Sequence, residues 1–151
     1  MKTTDTHRDL FQALSNKIYS SLHQGESMTL QLAAEHQDYL RFNQTRVRQM
    51  TQVEQIRLSM RFQSEGRRVA FSLDLTSDLH ADTRSVLSLL ERAREEIKVL
   101  PEDPFLSPIE NHGEHHEDHP GTLPPLPELL EAMGFYEKKK LDLAGLYAGG
   151  S

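Results

Sequence analysis

Residues 54–75 read EQIRLSMRFQSEGRRVAFSLDL, and the period of this stretch decides the fold class. Ile56, Leu58, Met60 and Phe62 alternate with Gln55, Arg57, Ser59 and Arg61. Successive side chains of a strand point to opposite faces, so the four apolar residues share one face and the polar ones the other. Ser64-Glu65-Gly66-Arg67 supplies a turn, because Gly66 takes positive φ without a Cβ penalty. Val69, Phe71 and Leu73 then alternate with Ala70, Ser72 and Asp74. Helical spacing would scatter these apolar residues around a cylinder. The stretch is therefore expected to be two antiparallel strands, with its apolar residues buried. A hairpin with one apolar face does not stand alone in water and needs further strands and a helical cover.

Both are legible on either side. Upstream, Leu10, Phe11, Leu14, Ile18 and Leu22 recur at helical steps, predicting an amphipathic helix over residues 5–24, capped by Asp5 or Thr6 and ended by Gly25. Met28, Leu30, Leu32 and Ala34 then alternate as a strand, with His36-Gln37-Asp38 as its turn. A further strand follows over residues 39–49, with Leu40 and Phe42 facing the core. The alternation falters at Asn43-Gln44-Thr45, which predicts a bulge or a short hairpin. Downstream, Ser77 or Asp78 caps a second helix to about Leu100, with Val86, Leu87, Leu90, Ala93 and Ile97 as its stripe and Pro101 as its stop. The expected fold is α+β: an antiparallel four-stranded meander covered on one face by two long helices.

The organisation expected is a domain over residues 1–100, a loop or linker over 101–127, and a final segment over 128–151. All seven prolines lie between Pro101 and Pro127, with four of the eight histidines. Proline disfavours both helix and central strand, so that window reads as an extended connection. Beyond it, residues 127–135 suit a short helix with Leu129, Leu130 and Met133 apolar. Lys138-Lys139-Lys140 follows, and Leu141 to Tyr147 suit a strand leading toward a next domain.

A chain of 151 residues can bury a sizeable core. Its 17 basic and 23 acidic side chains give a net charge of −6, which argues against a dedicated nucleic-acid binder. The absence of cysteine excludes disulfides and thiolate chemistry and suits a reducing cytoplasm. No segment approaches membrane-spanning length.

Two clusters are candidate sites. His112, His115, His116 and His119 lie among Glu110, Glu114, Glu117 and Asp118, and imidazole with carboxylate suits zinc or nickel. The metalloprotease pattern H-E-x-x-H needs its histidines four apart on a helix, whereas His116-Glu117 is followed by His119 in a proline-flanked loop. A solvated loop is the expectation there, without a metal. The second cluster is the polar strand face carrying Arg41, Asn43, Arg46, Arg48, Arg57 and Arg61. Guanidinium groups on a rigid sheet bind carboxylates, phosphates or peptide carbonyls. The competing reading is a solvated face balanced by Glu35, Glu54 and Asp74. No G-x-S-x-G elbow or glycine-rich phosphate loop is present.

Y-L-R-F-N-Q-T-R-V-R-Q at residues 39–49, with Val53-Glu54-Gln55 after it, resembles the N-terminal domain of the TldD/PmbA family, metallopeptidases also called modulators of DNA gyrase. The similarity extends through Gly66-Arg67-Arg68-Val69 to Leu100-Pro101-Glu102-Asp103-Pro104, and resumes at Asp142-Leu143-Ala144-Gly145-Leu146-Tyr147-Ala148-Gly149. The family's metal-binding H-E-x-x-x-H helix and cysteine ligand have no counterpart here, so no catalytic residue carries over. What the resemblance implies is a non-catalytic N-terminal domain, or a truncated relative, that helps enclose an unfolded peptide or assemble homologous subunits, as a homo- or heterodimer. A zinc-type metal is implied only for the part of the catalytic relatives that this sequence lacks. The alternative is a free-standing adaptor whose arginines hold an anionic partner.

Overall fold

The computed structural model describes residues 3–150; the side chains of residues 3–5, Met133 and Glu137 lie outside the description, so the apolar role of Met133 does too. The chain runs α1 (Thr3–Ser20), β1 (Ser27–Asn43), β2 (Arg46–Ser64), β3 (Arg67–Asp74), α2 (Leu79–Ile97), α3 (Leu126–Lys138) and β4 (Gly145–Gly150). The strands form one antiparallel four-stranded sheet in the order β3-β2-β1-β4, so the α+β architecture is as the alternation requires. Two compact units divide the chain: Met1–Ala34 with Gln55–Gly113, and Glu35–Glu54 with Glu114–Ser151.

The first unit holds the main core. Leu10, Leu14 and Ile18 of α1 and Val86, Leu90, Ala93 and Ile97 of α2 cluster with Met28, Ile56, Leu58, Met60 and Phe62 of the strands. Leu14, Ile18, Leu58, Val86, Leu90 and Ala93 are fully buried, and Leu75 closes the cluster. In the hairpin at Gly66, Phe62 lies opposite Val69, Met60 opposite Phe71 and Leu58 opposite Leu73. Glu65 and Gly66 both have positive φ, 50° and 70°, the backbone of a two-residue turn whose twist matches its strands.

Burial differs between the two strands of this hairpin. The β2 residues are buried, whereas Val69, Phe71 and Leu73 are only half-buried, because β3 is the outermost strand of the sheet. The Phe71 ring instead carries the Arg92 guanidinium, 5.3 Å from its centroid. Phe71→Ala is therefore expected to cost roughly 1–2 kcal/mol, below the ~3–5 kcal/mol of a fully buried aromatic. Chemical denaturation of the variant checks this, and a loss as large as that of a core phenylalanine would contradict it.

Helix α1 is bounded differently from the sequence expectation, whereas α2 has one of its two expected caps. Helix α1 already includes Asp5 and Thr6, so neither is its cap, and it stops at Ser20. The Ser20 and Ser21 hydroxyls donate to the Lys17 carbonyl at 2.9 and 2.8 Å, drawing a last-turn acceptor away from the ladder. Gly25 (φ 84°) turns the chain toward β1 instead. For α2 the cap is Asp78, whose carboxylate accepts from the amides of His80 and Ala81 at 2.9 Å each. These bonds, Ala81 first, hold its carboxyl below the ordinary range.

An ion pair binds the ends of these helices together. Arg94 donates from Nε and Nη2 to the two carboxylate oxygens of Glu26, 2.8 Å each, and from Nη2 to the Ser21 carbonyl at 2.7 Å. The His23 amide also donates to Glu26, at 2.8 Å. Both side chains are nearly buried, at 12% and 9% exposure. The Arg94 hydrogen bond holds the Glu26 carboxyl below its ordinary value of 4.5, and Glu26 in turn raises Arg94.

In the second unit the structure corrects the sequence reading. His36-Gln37-Asp38 is not a turn: β1 runs straight through it, since Gln37 and Asp38 pair with Gly150 and Gly149 of β4. The chain reverses at Gln44 and Thr45, both with positive φ (51° and 58°), so the faltering alternation marks a short hairpin. A β-branched residue rarely tolerates that backbone. Thr45 is held there by its amide on the Leu143 carbonyl (2.9 Å), by its hydroxyl donating to the Leu141 carbonyl, and by the Leu143 amide donating to that hydroxyl (3.2 Å). The terminal strand pairs with β1.

Candidate functional site

Strand alternation in the second unit builds a small candidate site. Along β1, residues 35, 37, 39 and 41 share a face, and side-chain hydrogen bonds link the first three. The Gln37 amide donates to Glu35 at 3.1 Å, and the Tyr39 hydroxyl donates to Gln37 Oε1. Arg41 comes next and lies opposite Leu146 of β4 in the register. On β2 the Gln49 amide donates to the Thr51 hydroxyl at 3.3 Å. Tyr39, Arg41, Gln49, Thr51 and Leu146 together line a cavity of about 230 Å³.

On the opposite face, β1 and β4 meet through apolar side chains. Leu40 is fully buried, opposite Tyr147, and the Phe42 ring lies over Gly145, where an added Cβ would come within 3.1 Å of it. Tyr147 covers Gly149 in the same way, so neither glycine can gain a side chain without displacing an aromatic ring. This packing holds β4 against β1 and so places Leu146, which is 63% exposed, at the cavity.

The six residues expected to form one polar face are not equivalent. Arg41, Asn43, Arg46 and Arg48 belong to the second unit, Arg57 and Arg61 to the first. All six are exposed. Arg57 donates to Asp74 from Nε at 2.9 Å and from Nη2 at 3.4 Å. That interaction lowers the Asp74 carboxyl below its usual range, with a smaller contribution from Gln55. Arg48 donates to the Gln44 side chain at 3.1 Å, and alternation turns it away from the face of Gln49. Arg46 is engaged within the chain as well. Among the described residues, Arg41 alone of the arginines in the second unit both lines a cavity and has no polar partner. Gln49, Thr51 and Leu146 escaped the sequence reading; the alternation of Gln49 and Thr51 with Arg48 and Met50 was the signal for the first two.

The histidine loop is exposed throughout residues 110–120. Glu117 lies 3.1 Å from His119 Nε2 and 3.8 Å from His115 Nε2, while His112 and His116 have no such partner among the described residues. No group of three or more possible metal ligands gathers among the described residues. No described helix is long and apolar enough to cross a membrane. In comparisons with known proteins, no protein-family model and no curated protein matches the chain.

Proposed function

We propose that the chain is a non-catalytic N-terminal domain of the TldD/PmbA type, working in the cytoplasm, that holds an unfolded peptide during proteolysis. The observation that carries this reading is the cavity of Tyr39, Arg41, Gln49, Thr51 and Leu146 beside β4, which is the last strand of the sheet. An extended peptide adding to the outer edge of β4 gains main-chain hydrogen bonds whatever its sequence, as substrate-tolerant binding requires. One side chain in two would face the cavity, where Leu146 offers apolar contact and Arg41 a charged donor for a carbonyl or carboxylate. The resemblance of residues 39–49 and 142–149 to that family falls on the same strands. On this reading the chain needs no metal of its own, and a homologous subunit closes over the bound peptide.

The alternative, an arginine face for an anionic partner, has weaker support, because Asp74 already occupies Arg57 in a two-point contact. Fluorescence anisotropy with a labelled unfolded polypeptide tests the proposal. Arg41→Ala is expected to weaken binding about tenfold, the loss of one charged hydrogen bond. Arg57→Ala is expected to leave it unchanged, and neither protein should cleave the peptide with or without zinc. Equal affinity of the parent and Arg41→Ala would end the reading.

A further inference from the structure

The inner strand β2 has an open edge of its own. β3 pairs only with residues 57–64 of β2, so residues 46–54 have no strand on that side among the described residues. Eight of these nine residues are exposed, including Val47 at 38% and Met50 at 49%. A long exposed edge is a template for another strand, and proteins cover or blunt such edges unless they use them.

The sequence of this edge, Arg46-Val47-Arg48-Gln49-Met50-Thr51-Gln52-Val53-Glu54, complements itself. Let a second copy run antiparallel about a two-fold axis through Met50. Arg46 then lies opposite Glu54 of the second copy, Val47 opposite Val53, Arg48 opposite Gln52 and Gln49 opposite Thr51. Every pair occurs twice by symmetry, and Met50 meets Met50. Opposite charges, β-branched pairs and polar pairs are the combinations that stabilise facing positions. Sliding the copy so that Arg46 faces Arg48 opposes like charges, which disfavours that register. Arg46 keeps its interaction within its own chain; the pairing asks only that its charge face Glu54.

We propose that two copies of this chain pair along residues 46–54 of β2 and continue the sheet across a two-fold axis. The proposal does not depend on the peptide reading: it uses the β2 edge and leaves the outer edge of β4 free, while Gln49 and Thr51 belong both to the pairing and to the lining of the Arg41 cavity. It goes beyond an expectation of subunit assembly by naming the edge, the register and the partner.

Two experiments test it on the full chain. Sedimentation velocity should give a concentration-dependent species of twice 17.3 kDa. Arg46→Glu or Glu54→Arg alone, placing like charges face to face twice, should weaken association about tenfold or more, and the double exchange R46E/E54R should restore it. Because the chain has no cysteine, single substitutions also report the register. Facing residues of antiparallel strands lie about 4.5–5.5 Å apart between Cα atoms, within disulfide reach. Met50→Cys should therefore cross-link to itself when oxidised with diamide, whereas Gln52→Cys, which faces residue 48, should not. A monomer at every concentration would overturn the proposal. So would equal cross-linking of the two cysteine variants, or failure of the double exchange to rescue. If an unfolded peptide, rather than a second copy, protects the β2 amides from exchange, the edge belongs to peptide and the proposal also fails.

Discussion

Phe62→Ala is expected to lower the unfolding free energy by about 3–5 kcal/mol, the range for truncating a buried aromatic. Phe62 is 1% exposed, sits opposite Val69, and belongs to the cluster into which both α1 and α2 pack. Removing the ring loses its transfer free energy and leaves a cavity that two helices and a strand cannot readily collapse to fill. The urea midpoint should fall with an unchanged slope, since the surface exposed on unfolding hardly alters. A shift no larger than that of Phe71→Ala would mean that the two strands of the hairpin share the core equally, against their observed burial.

Arg94→Ala is expected to cost about 3–5 kcal/mol by a different route. The substitution strands the Glu26 carboxylate, 9% exposed, with the His23 amide at 2.8 Å and the His23 imidazole at 3.6 Å as its remaining described contacts. Replacing both partners, as in Glu26→Leu with Arg94→Met, should cost much less, because no buried charge is then left over. The pH dependence has a defined sign. The folded-state value of Glu26 is depressed below 4.5, so its stabilising contribution is fully present above that pH. It is lost as pH falls from there through the folded value. Glu26→Gln should flatten this acid limb of the stability profile, and an unaltered limb would assign it to other carboxylates.

What the sequence disclosed follows from where the deciding contacts lie. Alternation in residues 54–75 is a local signal, and Gly66 marks the turn, so the two strands of the β2–β3 hairpin were legible. The capping carboxylate of Asp78 was legible for the same reason. His36-Gln37-Asp38 misled because these residues favour turns in isolation, whereas here β4 supplies the pairing that keeps the backbone extended. That partner strand lies more than a hundred residues away, and its glycines resemble a linker until Phe42 and Tyr147 are seen covering them. Thr45 gave no sign of positive φ, since its conformation is held by Leu141 and Leu143. The arginines shared a pattern but not a fate: nothing local tells Arg57, held by Asp74, from Arg41, which lines a cavity.

The proposed function requires that an unfolded peptide bind at β4 and the Arg41 cavity. Hydrogen exchange of the full chain, with and without an unfolded polypeptide, tests it most directly. The expected result is slowed exchange at outward-facing amides of residues 145–150, with smaller changes around Tyr39 and Arg41, and no change along residues 57–61. Unchanged exchange in β4 at saturating peptide, or protection confined to the strand around Arg57, would contradict it.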